Sequence, residues 1–372
     1  MNCPTDEGEV AECVRQALQG DAKLAIRGGG SKDRIGTPVD FPTIELGGLR
    51  GIIDYDPSEL VLSVRPGTPL HEVEALVQSE GQMLAFDPFD HGPVFGVAEG
   101  NATIGGTVAA RVAGSRRLSA GSARDHLLGL RAVSGRGELF VAGARVVKNV
   151  TGFDLPKLMA GSWGRLAVMT ELTLKVLPRP RDRATCVVRG LSLRDALAAM
   201  ARAMGSAAEV SAAAFLPGRP STAALLIEGF SPSVDARCAM LQQLLPGAER
   251  VAPDEGKAIW RTMRTVAPLS GTPMLWQINV APSRAADVAE ALGGEQLFDW
   301  AGGLVWIGGD QGAERVREIA DAAGGHATLV RAPHEERRRT VAFHPPTRGV
   351  AALEERVRRA FDPHALFETG RF

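Results

Sequence analysis

Apolar residues recur every three to four positions across residues 8–19 (GEVAECVRQALQ), the spacing of one helix face. The run KLAI follows and predicts a short strand that stops at three consecutive glycines, 28–30. TIEL, GIIDYD and ELVLSVRPGT then read as short strands parted by turn residues, and LHEVEALVQSEG as a helix with a glycine stop. HLLGLRAV, SGRG and ELFVAGARVV read as strand, tight turn and strand. FDLPKLMAGS predicts a short helix in which Asp154 caps the first turn, and RLAVMTELTLKVLP a long strand closed by the break PRPRDR.

A domain boundary is expected at that break, near residues 178–183. Beyond it, strands alternate with single helices: TCVVRG before SLRDALAAMARAM, AALLIEGF before SVDARCAMLQQLL, PMLWQINVA before SRAADVAEAL, and GLVWIGG before GAERVREIADAAG and HATLVRA. That order predicts an α+β sheet covered by helices, and two ferredoxin-like β-α-β units fit it. A helix and an irregular tail close the chain.

Length supports the division, since 372 residues exceed what a single hydrophobic core usually fills. Forty-two Lys and Arg against 43 Asp and Glu leave a net charge of -1, so no global field attracts a polyanion and nucleic acid is not an expected partner. The late basic clusters RAPHEERRRT and LEERVRRAF carry interleaved acids and read as solvated helix faces. Cys3, Cys13, Cys186 and Cys238 show no C-x-x-C pair, so they read as reduced thiols of a cytoplasmic protein rather than as ligands of zinc or an iron-sulfur cluster. The acidic start MNCPTDEGEVAEC has no apolar core of a signal peptide, and the alanine-rich stretch 196–216 holds Arg202 and Glu209, which makes it a poor membrane span.

The chemistry concentrates in glycine. In RGGGSK, consecutive N–H groups stand without a Cβ to block approach, with Ser31 adding a hydroxyl and Arg27 and Lys32 adding charge. Such a loop is a nest for a phosphate or an ordinary tight turn. In GNATIGGTVAARVAG, Gly106 occupies the lysine position of a nucleotide-triphosphate loop, so nothing there reaches β- and γ-phosphates. No G-x-G-x-x-G follows the first strand either, which removes the doubly wound dinucleotide fold. Residues 83–124 are rich in Gly, Ala, Ser and Pro, the composition of a linker or of backbone that passes close to a ligand.

Taken in order, RGGGSK, GNATIGGTVAARVAG, GSARDHLLGLRAVSGRGE, VKNVTGFDLPKLMAGSWGRLAVMTELTLKV and FDPHALFETGR resemble the flavin-binding domain of the vanillyl-alcohol oxidase and p-cresol methylhydroxylase (PCMH) family. Within that family the resemblance is to the FAD-binding subunits of three-part glycolate oxidases, over residues 20–178 and the final dozen. It implies a two-part PCMH-type FAD-binding domain at 1–178, an α+β cap at 184–345, and a tail at 346–372 that returns to the first domain. Gly28, Gly29, Gly30 and Ser31 would hold the FAD pyrophosphate. Thr103, Ile104, Gly105 and Gly106 would line flavin and pyrophosphate from the other side. Gly121, Ser122 and Asp125 match a segment near the ribityl chain and the ring, and Val168 a position whose backbone meets the adenine half. Members that attach FAD covalently use a histidine where this chain has Gly30, so noncovalent FAD is expected. The tail reads Phe367-Glu368-Thr369-Gly370-Arg371 where the family has an Asn-Pro pair.

The same resemblance implies oxidation of glycolate or a similar small 2-hydroxy acid, with a second flavoprotein subunit and an iron-sulfur subunit as partners and membrane contact only through them. Relatives that oxidise D-2-hydroxy acids carry an H-x-x-G-D-G-N-x-H metal motif, which is missing here, and no metal site is expected. Of the seven histidines, His91 lies in the segment that approaches the flavin in the family. Lys148 and Arg371 are the candidate anchors for a substrate carboxylate. The catalytic residues are therefore unassigned. A docking subunit with an idle flavin site and a stand-alone flavin oxidoreductase are the alternatives.

Overall fold

The computed structural model describes residues 3–144 and 153–372. Its first part opens with helix α1 (Glu7–Gln19), whose first turn is capped by the Asp6 carboxylate accepting from the Glu9 N–H at 2.9 Å. Strand β1 (Ala25–Arg27) pairs in parallel with β2 (Thr43–Glu45). Strands β3 (Ile52–Asp56) and β4 (Val61–Val64) lead to α2 (Leu70–Ser79) and the short β5 (Gln82–Met83). Three short helices, α3 (Ile104–Ala109), α4 (Arg117–Ala120) and α5 (Ala123–His126), cross the glycine-rich middle. Strands β6 (Leu127–Ser134) and β7 (Leu139–Gly143), helix α6 (Leu155–Met159), β8 (Ala167–Lys175) and β9 (Leu177–Pro178) complete this part. As its sequence suggested, α6 starts on Asp154, which accepts from the Lys157 N–H at 3.2 Å.

The antiparallel sheet β3-β4-β8-β6-β7 is sandwiched. Leu62, Leu130, Leu172 and Leu174 face Val73 and Val77 of α2 and Ile104 of α3, while Val133 and Val168 on the other face meet Val10 and Val14 of α1. The smaller β1-β2 pair beside it presents the loop that follows Arg27.

The second part is one antiparallel sheet of eight strands. In chain order these are β10 (Asp182–Arg189), α7 (Leu193–Met204), β11 (Ala212–Leu216), β12 (Thr222–Gly229), α8 (Ser231–Leu244) and β13 (Glu249–Arg250). After α9 (Pro253–Thr265) the series repeats as β14 (Met274–Asn279), α10 (Ala285–Leu292), β15 (Glu295–Asp299), β16 (Leu304–Gly309), α11 (Ala313–Ala322) and β17 (His326–Arg331). The strand order β13-β10-β12-β11-β15-β16-β14-β17 is two ferredoxin-like β-α-β-β-α-β units joined edge to edge, with Phe215 of β11 opposite Phe298 of β15. The expected pair of units is present. The apolar pattern did not predict three of these strands, β11 and β13 of the first unit and β15 of the second.

Alternation along these strands decides what each face does. Phe215, Trp276, Ile278, Phe298, Val305 and Ile307 pack under the helices α7, α8, α10 and α11. Their neighbours Ala214, Leu275, Leu297, Leu304 and Trp306 point the other way, onto Ile35, Val94 and Phe95 of the first part. The sheet is thus a lid laid on the glycine-rich segments. Helix α12 (His334–Arg339), α13 (Arg348–Phe361) and the tail bring the chain back, with Leu366 and Phe367 buried beside Ile44 and Val14. No described helix is long and apolar enough to cross a membrane.

Candidate cofactor-binding site

Two loops meet at a cleft between the β1-β2 pair and α3. The first begins where β1 ends. Arg27 closes it from outside, pairing with Asp33 at 2.5 Å and Glu45 at 3.1 Å. Gly30 sits at φ +81°, in the left-handed region, and a Cβ there would meet the Arg27 guanidinium at 2.5 Å. Within the described chain, the N–H groups of Gly29, Gly30 and Ser31 donate to nothing.

The second loop is held by its own backbone. Ile104 N–H donates to Thr68 O at 3.0 Å, Gly105 N–H to Pro66 O at 2.8 Å, and Leu70 N–H to Ala102 O at 2.8 Å. Thr103 caps α3 by accepting from the Gly106 N–H at 3.2 Å. Asp90 ties this loop to its neighbour: one carboxylate oxygen accepts from Gly92 at 2.8 Å, and the other from Gly100 and Ala102, both at 2.9 Å.

The loops touch because they lack side chains. A Cβ on Gly28 would stand 2.5 Å from the Thr103 hydroxyl, one on Gly29 would overlap the Asn101 carbonyl oxygen, and one on Gly105 would stand 2.5 Å from Pro66. Glycine at 29 therefore lets loop lie on loop. Its missing side chain points at Asn101 rather than into the cleft.

The cleft is lined by the first loop from Gly28 to Asp33 and by Thr103, Gly105 and Gly106 of the second. Ala167 and Met169 of β8 form one apolar wall and Trp163, with Phe372 tilted against it at 4.9 Å, another. Lys32 lines this space at 9% exposure, its ammonium 3.5 Å from Ser31 Oγ, with no ion pair among the described residues. Burial pulls its pKa down to about 8, opposed by the charge of Asp90. His91 lies nearby, stacked on Phe89 at 4.5 Å, with Nδ1 buried and unpartnered. Burial first, and then Lys32, hold it well below the usual imidazole range.

Free N–H donors, a hydroxyl and an unneutralised buried cation on one side, with apolar walls on the other, fit a ligand that is anionic in the middle and aromatic at its ends. FAD has that build. Gly28, Gly29, Gly30, Ser31 and Thr103 are the sequence candidates that would hold it, and Gly106 also lines the cleft although its N–H is spent on Thr103.

The other sequence candidates are placed differently. Ile104 is fully buried among Leu62, Val73 and Leu172, and its N–H and that of Gly105 are already bonded, so neither amide is free for a ligand. The side chain of Val168 turns into the core against α1, because alternation along β8 sends those of Ala167 and Met169 to the cleft, while the expectation for Val168 concerns its backbone. Ser122 and Asp125 form a capping box, with the Ser122 N–H and hydroxyl donating to the same carboxylate oxygen at 2.8 and 2.9 Å, and Gly121 precedes it at φ +80°. None of these three lines the cleft. Arg371 does, but its guanidinium donates to Ile35 O at 3.0 Å and Lys32 O at 2.8 Å, which makes it a brace for the loop. Lys148 lies outside the described residues. Trp163 and Asp90 are the residues that sequence reasoning left out of the site, and Lys32 was read there only together with Arg27 as a charge beside the loop. Lys32 was visible in RGGGSK as one of two cations, but nothing in the sequence said which one would be buried. No three His, Cys, Asp or Glu side chains converge as a metal set among the described residues.

Comparison with known proteins points to the same cofactor. A family model described as an FAD binding domain matches residues 2–143. The chain is 36% identical over 360 residues to the glycolate oxidase subunit GlcE of Escherichia coli (strain K12), covering 97% of this chain and 95% of that protein. It is 32% identical over 198 residues to a D-lactate dehydrogenase of Anaerostipes hadrus, covering 52% of this chain and 39% of the relative. Among solved structures, an alkyldihydroxyacetonephosphate synthase superposes with a TM-score of 0.70 over 98% of this chain and 75% of its own, at 15% identity, a likeness of fold.

Proposed function

The chain belongs to the family of FAD-dependent oxidoreductases that contains the glycolate oxidase subunits, and we propose that it is the FAD-binding subunit of a multi-subunit glycolate oxidase. One observation carries the reading: two side-chain-free loops from distant parts of the sequence close on one cleft that also holds a buried, unpaired lysine. FAD is the cofactor. When bound, it supplies a two-electron acceptor for conversion of a 2-hydroxy acid to the 2-oxo acid.

The chain's own residues supply the rest. The N–H groups of Gly29, Gly30 and Ser31 take the diphosphate, Thr103 holds the second loop against the first, and Trp163 and Met169 exclude water from the walls. The absence of a side chain at Gly30, whose outward direction is already filled by Arg27, favours noncovalent attachment. A glycolate oxidase subunit GlcD, from Bacillus subtilis (strain 168), is also among the relatives, 31% identical over 137 residues that cover 37% of this chain and 27% of that protein. That supports a second flavoprotein partner, with an iron-sulfur subunit carrying electrons onward and with any membrane contact made by the assembled complex.

Purified protein is expected to be yellow, and acid precipitation should leave intact FAD in the supernatant. Glycolate should bleach the flavin in the co-purified complex far faster than in the isolated chain. Protein that is colourless and cannot be reconstituted with FAD would overturn the reading, and a flavin that stays in the acid pellet would overturn noncovalent attachment.

A further inference from the structure

The two cations that flank the glycines have opposite fates. Arg27 is 42% exposed at its side chain and is neutralised twice, by Asp33 and Glu45. Lys32 is buried to 9% exposure, carries no ion pair among the described residues, and lines the same cleft as the free N–H groups of Gly29, Gly30 and Ser31. A buried ammonium without a counter-ion is costly, and a lysine buried among apolar walls alone would be replaced with profit to stability. We infer that Lys32 is the resident counter-charge of the cofactor's diphosphate, and that FAD binding to this chain is therefore coupled to proton uptake. The inference rests on the flavin reading above and names the residue that sets its strength.

The surroundings of Lys32 leave this role open to it alone. Asp90, the acid that acts on it, spends both carboxylate oxygens on the Gly92, Gly100 and Ala102 N–H groups. His91 faces it as a neutral ring with an unpaired Nδ1. Arg371 donates to its carbonyl oxygen, and Arg337 to those of Asp33 and Gly36, so these cations brace the loop through its backbone. Asp33 is taken by Arg27. The one anion missing from the set is the ligand's.

The sign follows. Without ligand the ammonium titrates at about 8, far below the ordinary lysine value, so a growing fraction is neutral above that pH. A diphosphate beside it favours the charged form and raises the pKa, so binding takes up a proton in the window above 8, and affinity falls there by up to tenfold per pH unit.

The test is calorimetric titration of the FAD-stripped chain with FAD, ADP and riboflavin between about pH 7 and 9.5, repeated on Lys32→Met. Wild type is expected to bind FAD and ADP more weakly as pH rises, with proton uptake read from buffers of different ionisation enthalpy. Lys32→Met should fold, melt higher without ligand, lose about ten- to a hundredfold in affinity for FAD and ADP, keep its riboflavin affinity, and show no pH slope. FAD and ADP affinities within twofold of wild type, or an equal loss for riboflavin, would overturn the role of Lys32 while leaving the flavin reading intact. Wild-type protein that binds neither FAD nor ADP would overturn both.

Discussion

A methyl group at Gly29 would sit on the carbonyl oxygen of Asn101, whereas one at Gly106 would meet only the Thr103 hydroxyl, at 3.2 Å. Both residues line the cleft, so the contrast separates loop packing from ligand space. Gly29→Ala is expected to lower thermal stability by about 1–3 kcal/mol and FAD content with it, because the two loops must part. Gly106→Ala, inside α3, should keep the melting temperature and change only the FAD dissociation constant. Melting curves and flavin absorbance on the same preparations check both, and equal stability losses would show that the loops are not in contact. Asp90 is the second residue on which the site depends. Its carboxylate gathers three N–H groups from two segments, so Asp90→Ala should cost at least about 2 kcal/mol and loosen the 100–102 amides in hydrogen exchange. In the sequence it is one acid in FDPFDHGP, and nothing in its spacing marks it.

At the scale of elements, the joint between the glycine-rich segment and the eight-stranded sheet is polar and buried. Arg116 makes two hydrogen bonds to Glu228 of β12, at 2.7 and 2.8 Å, with side-chain exposures of 12% and 6%. Arg116 also lies 3.5 Å from Asp87, so Arg116→Met, which strands Glu228, is expected to cost about 3–5 kcal/mol and Glu228→Leu less, with the double variant recovering most of the loss. A double-mutant cycle by denaturant unfolding measures this, and additive losses would refute it. Beside that pair, Asp299 at the end of β15 accepts from Ser115 Oγ at 2.7 Å and from the Trp300 N–H at 2.8 Å. Burial raises its pKa to about 7. The folded state then holds its proton more tightly than the unfolded chain does, so this stability is present below pH 4 and is lost as pH rises through 7. Asp299→Asn should flatten the stability profile between about pH 4 and 7 and be the more stable form at the alkaline end. The strand that carries Asp299 was not legible in the sequence, for a physical reason. EQLFD, like the AAAFL of β11, has too few β-branched residues to signal a strand, and its position is set by pairing with β16. The helices α7, α8, α10 and α11 and the strands before them were legible because each buries a continuous apolar face.

At the scale of the whole molecule, the site is closed by residues that are neighbours only after folding. The resemblance over residues 20–178 made the two glycine loops readable, where the glycines alone fit a phosphate nest and an ordinary tight turn equally. It could not say that Ile104 and Gly105 spend their amides on Thr68 and Pro66, because that depends on how β4 runs into α2. Nor could it show what braces the first loop from behind. There Arg371 donates to Ile35 O and Lys32 O, Thr37 N–H donates back to Arg371 O at 2.9 Å, and Arg337 of α12 reaches Asp33 O and Gly36 O. Tail, lid and loop thus share one set of backbone carbonyls. Burial lowers the pKa of Arg371, and its guanidinium is spent on those carbonyls, so its replacement should act on the loop before any substrate is involved. Arg371→Ala is expected to speed amide exchange at residues 32–37 and to weaken FAD binding by about tenfold, from two lost charge-assisted hydrogen bonds offset in part by water. Exchange in β14 and β16 of the eight-stranded sheet should stay as in wild type. If the loop amides exchange unchanged while glycolate-dependent turnover falls, Arg371 is a substrate anchor and not a brace.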